Sequence, residues 1–206
     1  MKKIFLTGFL SILFVGISFA QAPKIGVTAG LNVSNLTGSG TSGSYKAGFQ
    51  AGVVADFGIT EKFSIMPELL FAQRGAKDSE EGVDVTMTLN YLQLPINAAY
   101  KFDVGNGSKV FVFAGPYFGY GLSGKATAKN GANGINVSAS QDIKFGSSDD
   151  KLKAFDIGLN VGVGYLYEKI FFKLQFNPGF ANLLNNSGSD SMRNTNFAVT
   201  VGYFFN

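Results

Sequence analysis

Residues 155–167 read FDIGLNVGVGYLY. Every second residue from Phe155 is large and apolar, and the residues between are small or polar except for Leu166. A period of two indicates a β-strand whose two faces lie in different surroundings. The stretch is longer than the roughly 9–11 residues that a tilted strand needs to cross a bilayer.

Seven further segments alternate in the same way along the chain. The eight predicted strands are 25–34, 45–58, 63–74, 91–102, 110–121, 155–167, 170–180 and 197–205. Their apolar faces, which in the third strand run from Phe63 to Phe71, contain no charged residue and no Asn, Gln, Ser, Thr or Gly. Upstream of the fourth strand, Val85, Met87 and Leu89 have the opposite phase, and a β-bulge near Asn90 would account for this change.

The opposite faces carry 13 glycines and only seven charged residues, which is too few to solvate the outside of a soluble barrel. Large apolar residues would also overfill the interior of an eight-stranded barrel. The pattern therefore predicts an inverted arrangement, with apolar residues towards lipid and small residues in a narrow lumen. The predicted lumen charge network is Lys46, Asp56, Glu68, Arg74, Lys101, Asp156 and Lys173.

Aromatic residues concentrate near the strand ends on the apolar faces, which is typical of the paired girdles of outer-membrane barrels. One predicted lipid-facing girdle is Phe57, Phe63, Tyr100, Phe102, Tyr165, Tyr167, Phe172, Tyr203 and Phe205. The other is Tyr45, Phe49, Phe71, Phe118, Tyr120, Phe155, Phe180 and Phe197. Since lipid offers no partner to an open sheet edge, the strands must form a closed barrel. The predicted fold class is all-β: a transmembrane antiparallel up-and-down β-barrel of eight strands.

Connections of two lengths alternate along the chain, as in barrels with tight periplasmic turns and long outer loops. The short ones are 59–62, 103–109 and 168–169, and the longer ones are 37–44, 75–84, 123–153 and 183–194. Position along the strands predicts three tiers of lumen charge. Asp56 and Lys101 lie near the periplasmic end, Glu68 and Lys173 near the middle, and Lys46, Arg74 and Asp156 near the outer end. The hypothesis is that these tiers form a salt-bridged plug.

Five short motifs, in order, resemble the PorT-like outer-membrane β-barrel family of Bacteroidetes-type bacteria. They are GVTAGLNVS at 26–34, PELLFAQRG at 67–75, YLQLP at 91–95, AGPY at 114–117, and FDIG at 155–158 followed by GVG at 162–164. The resemblance covers essentially the whole mature chain and implies an outer-membrane location and the architecture of small OmpX- and OmpA-type barrels. It also implies contact with outer-membrane lipid and with the barrel-assembly machinery and periplasmic chaperones during biogenesis. The chain departs from the pattern at its end, where Asn206 follows Phe204 and Phe205 instead of a terminal aromatic.

The first residues have the features of a secretory signal peptide. Lys2 and Lys3 form a basic start, residues 4–17 are apolar, and Ser18-Phe19-Ala20 places small residues at a cleavage site. The predicted domains are therefore a cleaved signal at 1–20 and one barrel domain at 21–206. Without Lys2 and Lys3 the chain has 15 basic and 14 acidic residues, and no basic stripe predicts a nucleic-acid partner.

The composition excludes much site chemistry. There is no Cys and no His, so thiolate nucleophiles, His-based catalysis and Cys- or His-ligated metals are ruled out. The run 119–124 has the letters of a dinucleotide-binding loop, but a strand and a loop replace the helix that binds pyrophosphate. Asp78, Glu80, Glu81 and Asp84 lack the spacing of a calcium loop and read as a solvated acidic loop. We expect no catalytic residue, cofactor or metal.

The leading functional hypothesis is a non-enzymatic barrel with a structural or surface-interaction role through its outer loops. The alternatives are a narrow pore or small-solute channel, an accessory barrel of a secretion pathway, a membrane enzyme and a soluble ligand-binding barrel. The longest connection, 123–153, is the predicted surface for a partner, because connections beyond about 15 residues are often functional. Within it, the alternating run 135–140 predicts an extension of the hairpin above the membrane.

Overall fold

Antiparallel strands close into a ring in the computed structural model, which describes residues 22–39, 43–80, 83–130, 137–148, 151–185 and 190–206. The strands are β1 Lys24–Thr37, β2 Ser44–Gly58, β3 Phe63–Glu80, β4 Val83–Gly105, β5 Ser108–Asn130, β6 Val137–Ile143, β7 Phe155–Tyr167, β8 Ile170–Pro178 and β9 Arg193–Phe204. Their order is β4-β3-β2-β1-β9-β8-β7-β5, and pairing of β4 with β5 closes a ring of eight. The predicted antiparallel eight-stranded barrel is confirmed.

Among the described residues, no helix is long and apolar enough to span a membrane. The predicted signal peptide at 1–20 lies outside the described residues.

A ninth strand, β6, lies outside the ring. The two longest strands are β4 and β5, of 23 residues each. β5 pairs with β7 through Ser108–Tyr120, and then with β6 through Gly124–Asn130. Much of the predicted connections 75–84 and 123–153 is therefore strand. The predicted hairpin extension is present as β6, although residues 135 and 136 fall outside the described part of the chain.

The predicted bulge near Asn90 exists, but the phase change is on the other strand. Asn90 pairs with Ser123 and Tyr91 pairs with Gly121, so Leu122 of β5 is the extra residue. β4 keeps its phase, since both Leu89 and Tyr91 are buried inside the barrel. The expectation that β4 slips was wrong, because the barrel interior itself becomes apolar at this level.

The two ends of the barrel differ. We call the end with connections 59–62, 106–107 and 168–169 the turn end, and the opposite end the loop end. At the turn end Asn206 joins the two terminal strands: its Oδ1 accepts from the Ile25 backbone N–H at 3.0 Å, and its Nδ2 donates to the Pro23 carbonyl at 2.9 Å. The residue that departs from the terminal aromatic pattern thus extends the β1–β9 seam.

The interior contains aromatic rings as well as small and polar residues. Four inward phenylalanines are 0–4% exposed: Phe111, Phe113, Phe171 and Phe204. This differs from the expectation of a lumen filled by glycine and small polar residues. The glycines make room for the rings instead. A Cβ at Gly164 would lie 2.1 Å from Cζ of Phe111, and one at Gly202 would lie 2.0 Å from Cζ of Phe171.

We expect Gly202→Ala to lower the free energy of unfolding by about 1–3 kcal/mol, because the added methyl group overpacks the lumen. The Phe171 ring cannot yield freely, since it packs on Phe204 with centroids 4.8 Å apart. Urea unfolding in detergent micelles, followed by circular dichroism, measures the change. The control is Gly202→Ala in a Phe171→Leu background, where the methyl group should lower the free energy of unfolding by less than it does in the wild-type background. An unchanged unfolding midpoint in the single variant would contradict the steric account.

Candidate functional site

The lumen is built in layers, and an ion pair marks the turn end. Asp56 of β2 accepts a short hydrogen bond from Lys101 of β4, and the Asp56 side chain is 3% exposed. Directly inside lies the turn-end apolar layer, a cluster of buried side chains. It consists of Val54, Met66, Ala99, Phe111, Phe113, Leu166, Phe171 and Phe204.

The middle of the lumen is crossed by a second ion pair. Lys173 Nζ of β8 lies 2.5 Å from Glu68 Oε1 of β3, and both side chains are at most 2% exposed. In the ring these two strands stand opposite each other, so the pair spans the lumen. Lys173 Nζ also lies 5.6 Å from the ring centroids of both Phe113 and Phe171. The ammonium group therefore rests on the turn-end apolar layer while it pairs with the carboxylate.

A chain of asparagine side chains leads to the same carboxylate. Asn196 donates to Asn177 at 2.9 Å, Asn177 to Asn160 at 2.6 Å, and Asn160 to Asn97 at 3.0 Å. Asn97 then donates to Glu68 Oε1 at 3.3 Å. These amides connect five strands around the wall through buried polar contacts. Such a network specifies one arrangement of the lumen, because each broken link leaves a buried polar atom unpaired.

The third ion pair lies towards the loop end. Arg74 Nη1 of β3 is 3.6 Å from Asp156 Oδ2 of β7, and Asn194 Nδ2 donates to the same oxygen at 2.8 Å. The Tyr117 hydroxyl accepts from Arg74 at 3.3 Å and donates to Asp156 at 3.1 Å. Arg74 Nη2 also donates to Gln93 Oε1 at 3.0 Å. Three neighbours, Asn194, Tyr117 and Gln93, thus hold the side chains of Arg74 and Asp156.

All seven charged residues predicted for the lumen lie on inward faces, and six of them form these three pairs. The seventh, Lys46, is 6% exposed and has no carboxylate within ion-pair distance among the described residues. Its Nζ donates to Gln73 Oε1 at 3.3 Å and to the Ala47 carbonyl at 3.2 Å. Each of the three predicted tiers thus holds one ion pair, and Lys46, which was expected in the outer tier, belongs to none of these pairs.

A second apolar cluster covers the lumen at the loop end, and we call it the apolar lid. It consists of Leu36, Ala76, Leu89, Tyr91, Leu152 and Leu183, with Met87, Ile143, Phe145, Leu184 and Met192 packed against them. Residues from the connections after β6 and β8 fold inward here. Leu152 bridges to Leu184, and the Tyr91 and Phe145 rings meet at 5.7 Å. The inward phase of Met87 and Leu89 therefore belongs to this lid.

The outward face is a continuous apolar belt. Seven of the nine residues of the first predicted girdle are 42–56% exposed, and the other two, Phe57 and Phe63, are intermediate. The eight residues of the second predicted girdle are 37–73% exposed. Between the girdles lie exposed aliphatic residues such as Leu174 and Val199, at 56% and 57%. A surface of this kind is stable in hydrocarbon and not in water.

The other sequence candidates hold no site in the described structure. Residues 119–124 lie in β5, where Gly119 and Gly121 face the lumen. In the acidic connection, Asp84 accepts a hydrogen bond from Ser79 at 2.6 Å, and Glu81 lies outside the described residues. No group of three or more potential metal-binding side chains occurs among the residues searched, which are those that the structure describes.

Sequence reasoning missed the asparagine chain and the lid. Alternation does put Phe111, Phe113, Phe171 and Phe204 on inward faces, but it does not show that rings rather than small residues fill the lumen. Alternation over 91–102 and 155–167 puts Asn97 and Asn160 on inward faces, but it does not show which amides bond to each other. The rings did leave a signal. Inward Phe111 and Phe171 each have a glycine at the paired position of the next strand, Gly164 and Gly202.

Lys173→Met should lower the free energy of unfolding by about 3–5 kcal/mol, because it leaves the Glu68 carboxylate buried and unpaired. The double variant Glu68→Gln/Lys173→Met should recover most of this loss. The matched control is the exposed pair Lys109–Asp103, 3.1 Å apart with side chains 34% and 61% exposed. At that exposed pair, Lys109→Ala should lower the free energy of unfolding by only about 0–1 kcal/mol. Chemical unfolding in micelles compares the variants, and equal losses at the two sites would show that Glu68 is hydrated without Lys173.

Comparison with known proteins comes from sequence and from structure. No curated protein matches the chain. One similar solved structure is that of Ail, the attachment invasion locus protein of Yersinia pestis, in complex with the heparin analogue sucrose octasulfate. Ail is 12% identical to this chain, and the TM-score is 0.48. The alignment covers 90% of this chain and 100% of Ail. Neisserial surface protein A is 13% identical, with 90% and 100% covered and a TM-score of 0.48. OprG from Pseudomonas aeruginosa is 10% identical, with 90% and 97% covered and a TM-score of 0.46.

The family model of an outer membrane protein beta-barrel domain matches residues 19–185, which is most of the chain. The match agrees with the closed ring of strands, the apolar outer belt and the polar interior. The chain therefore belongs to the outer membrane protein beta-barrel domain family and is an outer-membrane protein.

Proposed function

We propose that this protein is a non-enzymatic outer-membrane barrel with a closed lumen, which presents a β-sheet outside the cell as a docking surface for partner proteins. The observation that carries the proposal is the protruding sheet. This sheet consists of residues 78–80 of β3, 83–85 of β4, 124–130 of β5 and 137–143 of β6. The strands continue past the ring, so the sheet stands beyond the loop end of the barrel.

The protruding sheet ends in an edge that the described structure leaves open. Within the residues described, β6 pairs with β5 and with no second strand. Residues 138–142 have exposed side chains, and β6 contains one charged residue, Asp142, and no proline. Proteins usually protect an exposed edge with charges, prolines or bulges, because its free N–H and C=O groups pair with any extended chain. This edge fits a partner that adds an extended peptide strand.

Export and orientation support the placement of this sheet outside the cell. Residues 1–20 have the features of a cleaved signal peptide, which carries the chain to the periplasm. β1 begins and β9 ends at the turn end. In bacterial barrels of this kind the short turns face the periplasm, so the loop end faces outward. The motifs at 67–75 and 91–95 support placement of the chain among PorT-like barrels of Bacteroidetes-type bacteria. Lipid, periplasmic chaperones and the assembly machinery are then its partners during biogenesis.

The contents of the lumen support a barrier rather than a path. Side chains from strands that are not neighbours meet inside the lumen at Glu68–Lys173 and Arg74–Asp156, and one apolar cluster lies beyond them towards each end of the barrel. Charges that lie in a conducting path face water, whereas these side chains are at most 2% exposed. Catalysis is disfavoured by the absence of His and Cys from the sequence. The buried carboxylates of Glu68 and Asp156 are engaged with cations of the same lumen.

In planar lipid bilayers the reconstituted protein should give no single-channel steps, because rings and ion pairs occupy the lumen. Glu68→Ala should also be silent, since the turn-end apolar layer remains in place. The control is a known open porin in the same bilayer. Ion-selective steps in the wild type that change in Glu68→Ala would identify the lumen as a conduction path and remove the closed-barrel proposal.

A photo-reactive amino acid at Ala139 of β6 should form cross-links to another protein on intact cells of the native host. The matched control is the same amino acid at Val85, which is 39% exposed but lies in β4 and pairs with Asp78 of β3 on one side and Ala128 of β5 on the other. Mass spectrometry of the purified protein reads out the adducts. Adducts at Ala139 that disappear in an Asp142→Pro background would support docking at the edge strand. Equal yields at both positions, or none, would contradict it.

A further inference from the structure

Buried polar atoms without a protein partner concentrate between the two apolar clusters of the lumen. The part of the chain that the structure describes has thirteen such atoms, and eight of them belong to six residues, which we call the polar compartment. They are Asn32, Gln50, Arg74, Asp156, Asn194 and Asn196, and each is at most 3% exposed.

Strand register brings these six residues to adjacent inward positions. Asn32 is the inward residue next to Ser34 on β1, and Ser34 pairs with Asn196 of β9. Asn32 also reaches β2, since its Oδ1 would lie 2.6 Å from a Cβ at Gly48. Gly48 is the inward position next to Gln50 on β2. Gln50 pairs with Ala72, and Arg74 is the next inward residue of β3. Across the lumen, Arg74 and Asn194 both contact Asp156.

The free atoms include both donors and acceptors. The donors are Asn32 Nδ2, Gln50 Nε2 and Arg74 Nε; the acceptors are the free oxygens of Asn32, Gln50, Asp156, Asn194 and Asn196. Leaving so many buried polar groups unpaired is costly, and in native proteins such groups are bonded to protein or to ordered water. Water matches this mixture, since one molecule both donates and accepts and makes about three hydrogen bonds in a buried site.

The apolar lid lies directly on the loop side of the polar compartment. Tyr91 belongs to the lid, and its hydroxyl accepts a hydrogen bond from Asn194 at 3.3 Å. Leu89 of the lid pairs with Arg74, and Leu36 pairs with Asn194. Leu183 is 0% exposed and Leu152 is 8% exposed, so the lid covers the compartment with apolar side chains drawn from two connections. On the turn side, Lys173–Glu68 and the turn-end apolar layer lie below the compartment.

We propose that the polar compartment binds a cluster of water molecules and that the apolar lid, rather than the ion pairs, controls whether solutes from the loop end reach it. Ion pairs hold the walls together, whereas the lid is the layer that excludes polar solutes. Five residues of the lid, Phe145, Leu152, Leu183, Leu184 and Met192, lie outside the strands of the ring, so the lid can open at these residues while the strand pairing of the ring is kept.

The first experiment uses the sign of a stability change. Asn32→Leu keeps the side-chain shape and removes two polar atoms that have no protein partner. If the compartment were dry, this replacement would stabilise the protein, because unpaired buried polar atoms are unfavourable. If water is bound there, the replacement strips hydrogen bonds from that water and lowers the urea midpoint. A lower midpoint supports the proposal, and an unchanged or higher one overturns it.

The second experiment uses the absence of cysteine from the chain. Gln50→Cys places one thiol in the compartment without removing a protein hydrogen bond of the Gln50 side chain. A small, charged methanethiosulfonate reagent is added from outside to proteoliposomes, and the labelling rate is followed by mass spectrometry. Adding Leu183→Ser should raise that rate by at least about tenfold, because a weakened lid opens more often. Adding Glu68→Gln/Lys173→Met should leave the rate within about twofold, since the lid is intact.

A faster rate in the ion-pair background together with an unchanged rate in the lid background would overturn the role of the lid. Heat-modified migration on gels confirms that every variant is folded before labelling. If Leu183→Ser does not fold, Leu152→Ser tests the lid from the other connection. Gln50→Cys alone should be labelled more slowly than Gln50→Cys with Leu183→Ser. Equal rates in these two variants would also refute the proposal, because solutes would then reach the compartment without opening of the lid.

Discussion

The structure depends on one constraint: inside a bilayer every backbone N–H and C=O must find a partner within the protein. Pairing of β4 with β5 and of β1 with β9 meets this demand by closing the ring. Closure of the ring also determines which side chains face lipid and which face the lumen. Because successive residues alternate between lipid and lumen, all polar chemistry of the spanning strands has to fit into one narrow interior.

The interior must both fill the space inside the ring and pair the charges that are buried there. Aromatic rings supply bulk where the paired position of the neighbouring strand has glycine, as at Phe171 and Gly202. Charges are tolerated because they pair across the lumen, and the cost of burying them is offset only when both partners and the nearby amides are in place. Glu68 illustrates the dependence: Lys173 and Asn97 both bond to its Oε1. The rings below hold Lys173 in position, so the apolar and polar layers support each other.

Alternation in the sequence predicted the closed barrel and the inward side of each charged residue, because parity alone decides those features. It failed where two causes give the same pattern. The phase of Val85, Met87 and Leu89 indicates a slipped strand, but apolar inward residues also result from a lid over an unshifted strand. The lid itself depends on Phe145, Leu152 and Leu183, whose segments have no period. The partners of each asparagine depend on strand tilt and register, which one sequence does not reveal.

The constraint that shapes the barrel ends at the membrane surface, and the protein differs in character on the two sides of that boundary. Within the ring, each strand is paired on both edges and its outer face is apolar. Beyond the ring, β3, β4 and β5 continue, β6 joins them, and the side chains of residues 138–142 are exposed to solvent. Water satisfies an unpaired edge there, so an edge strand is affordable outside the membrane and forbidden within it. The features that suit recognition therefore lie where closure is no longer required, while the lumen beneath is free to be filled for stability.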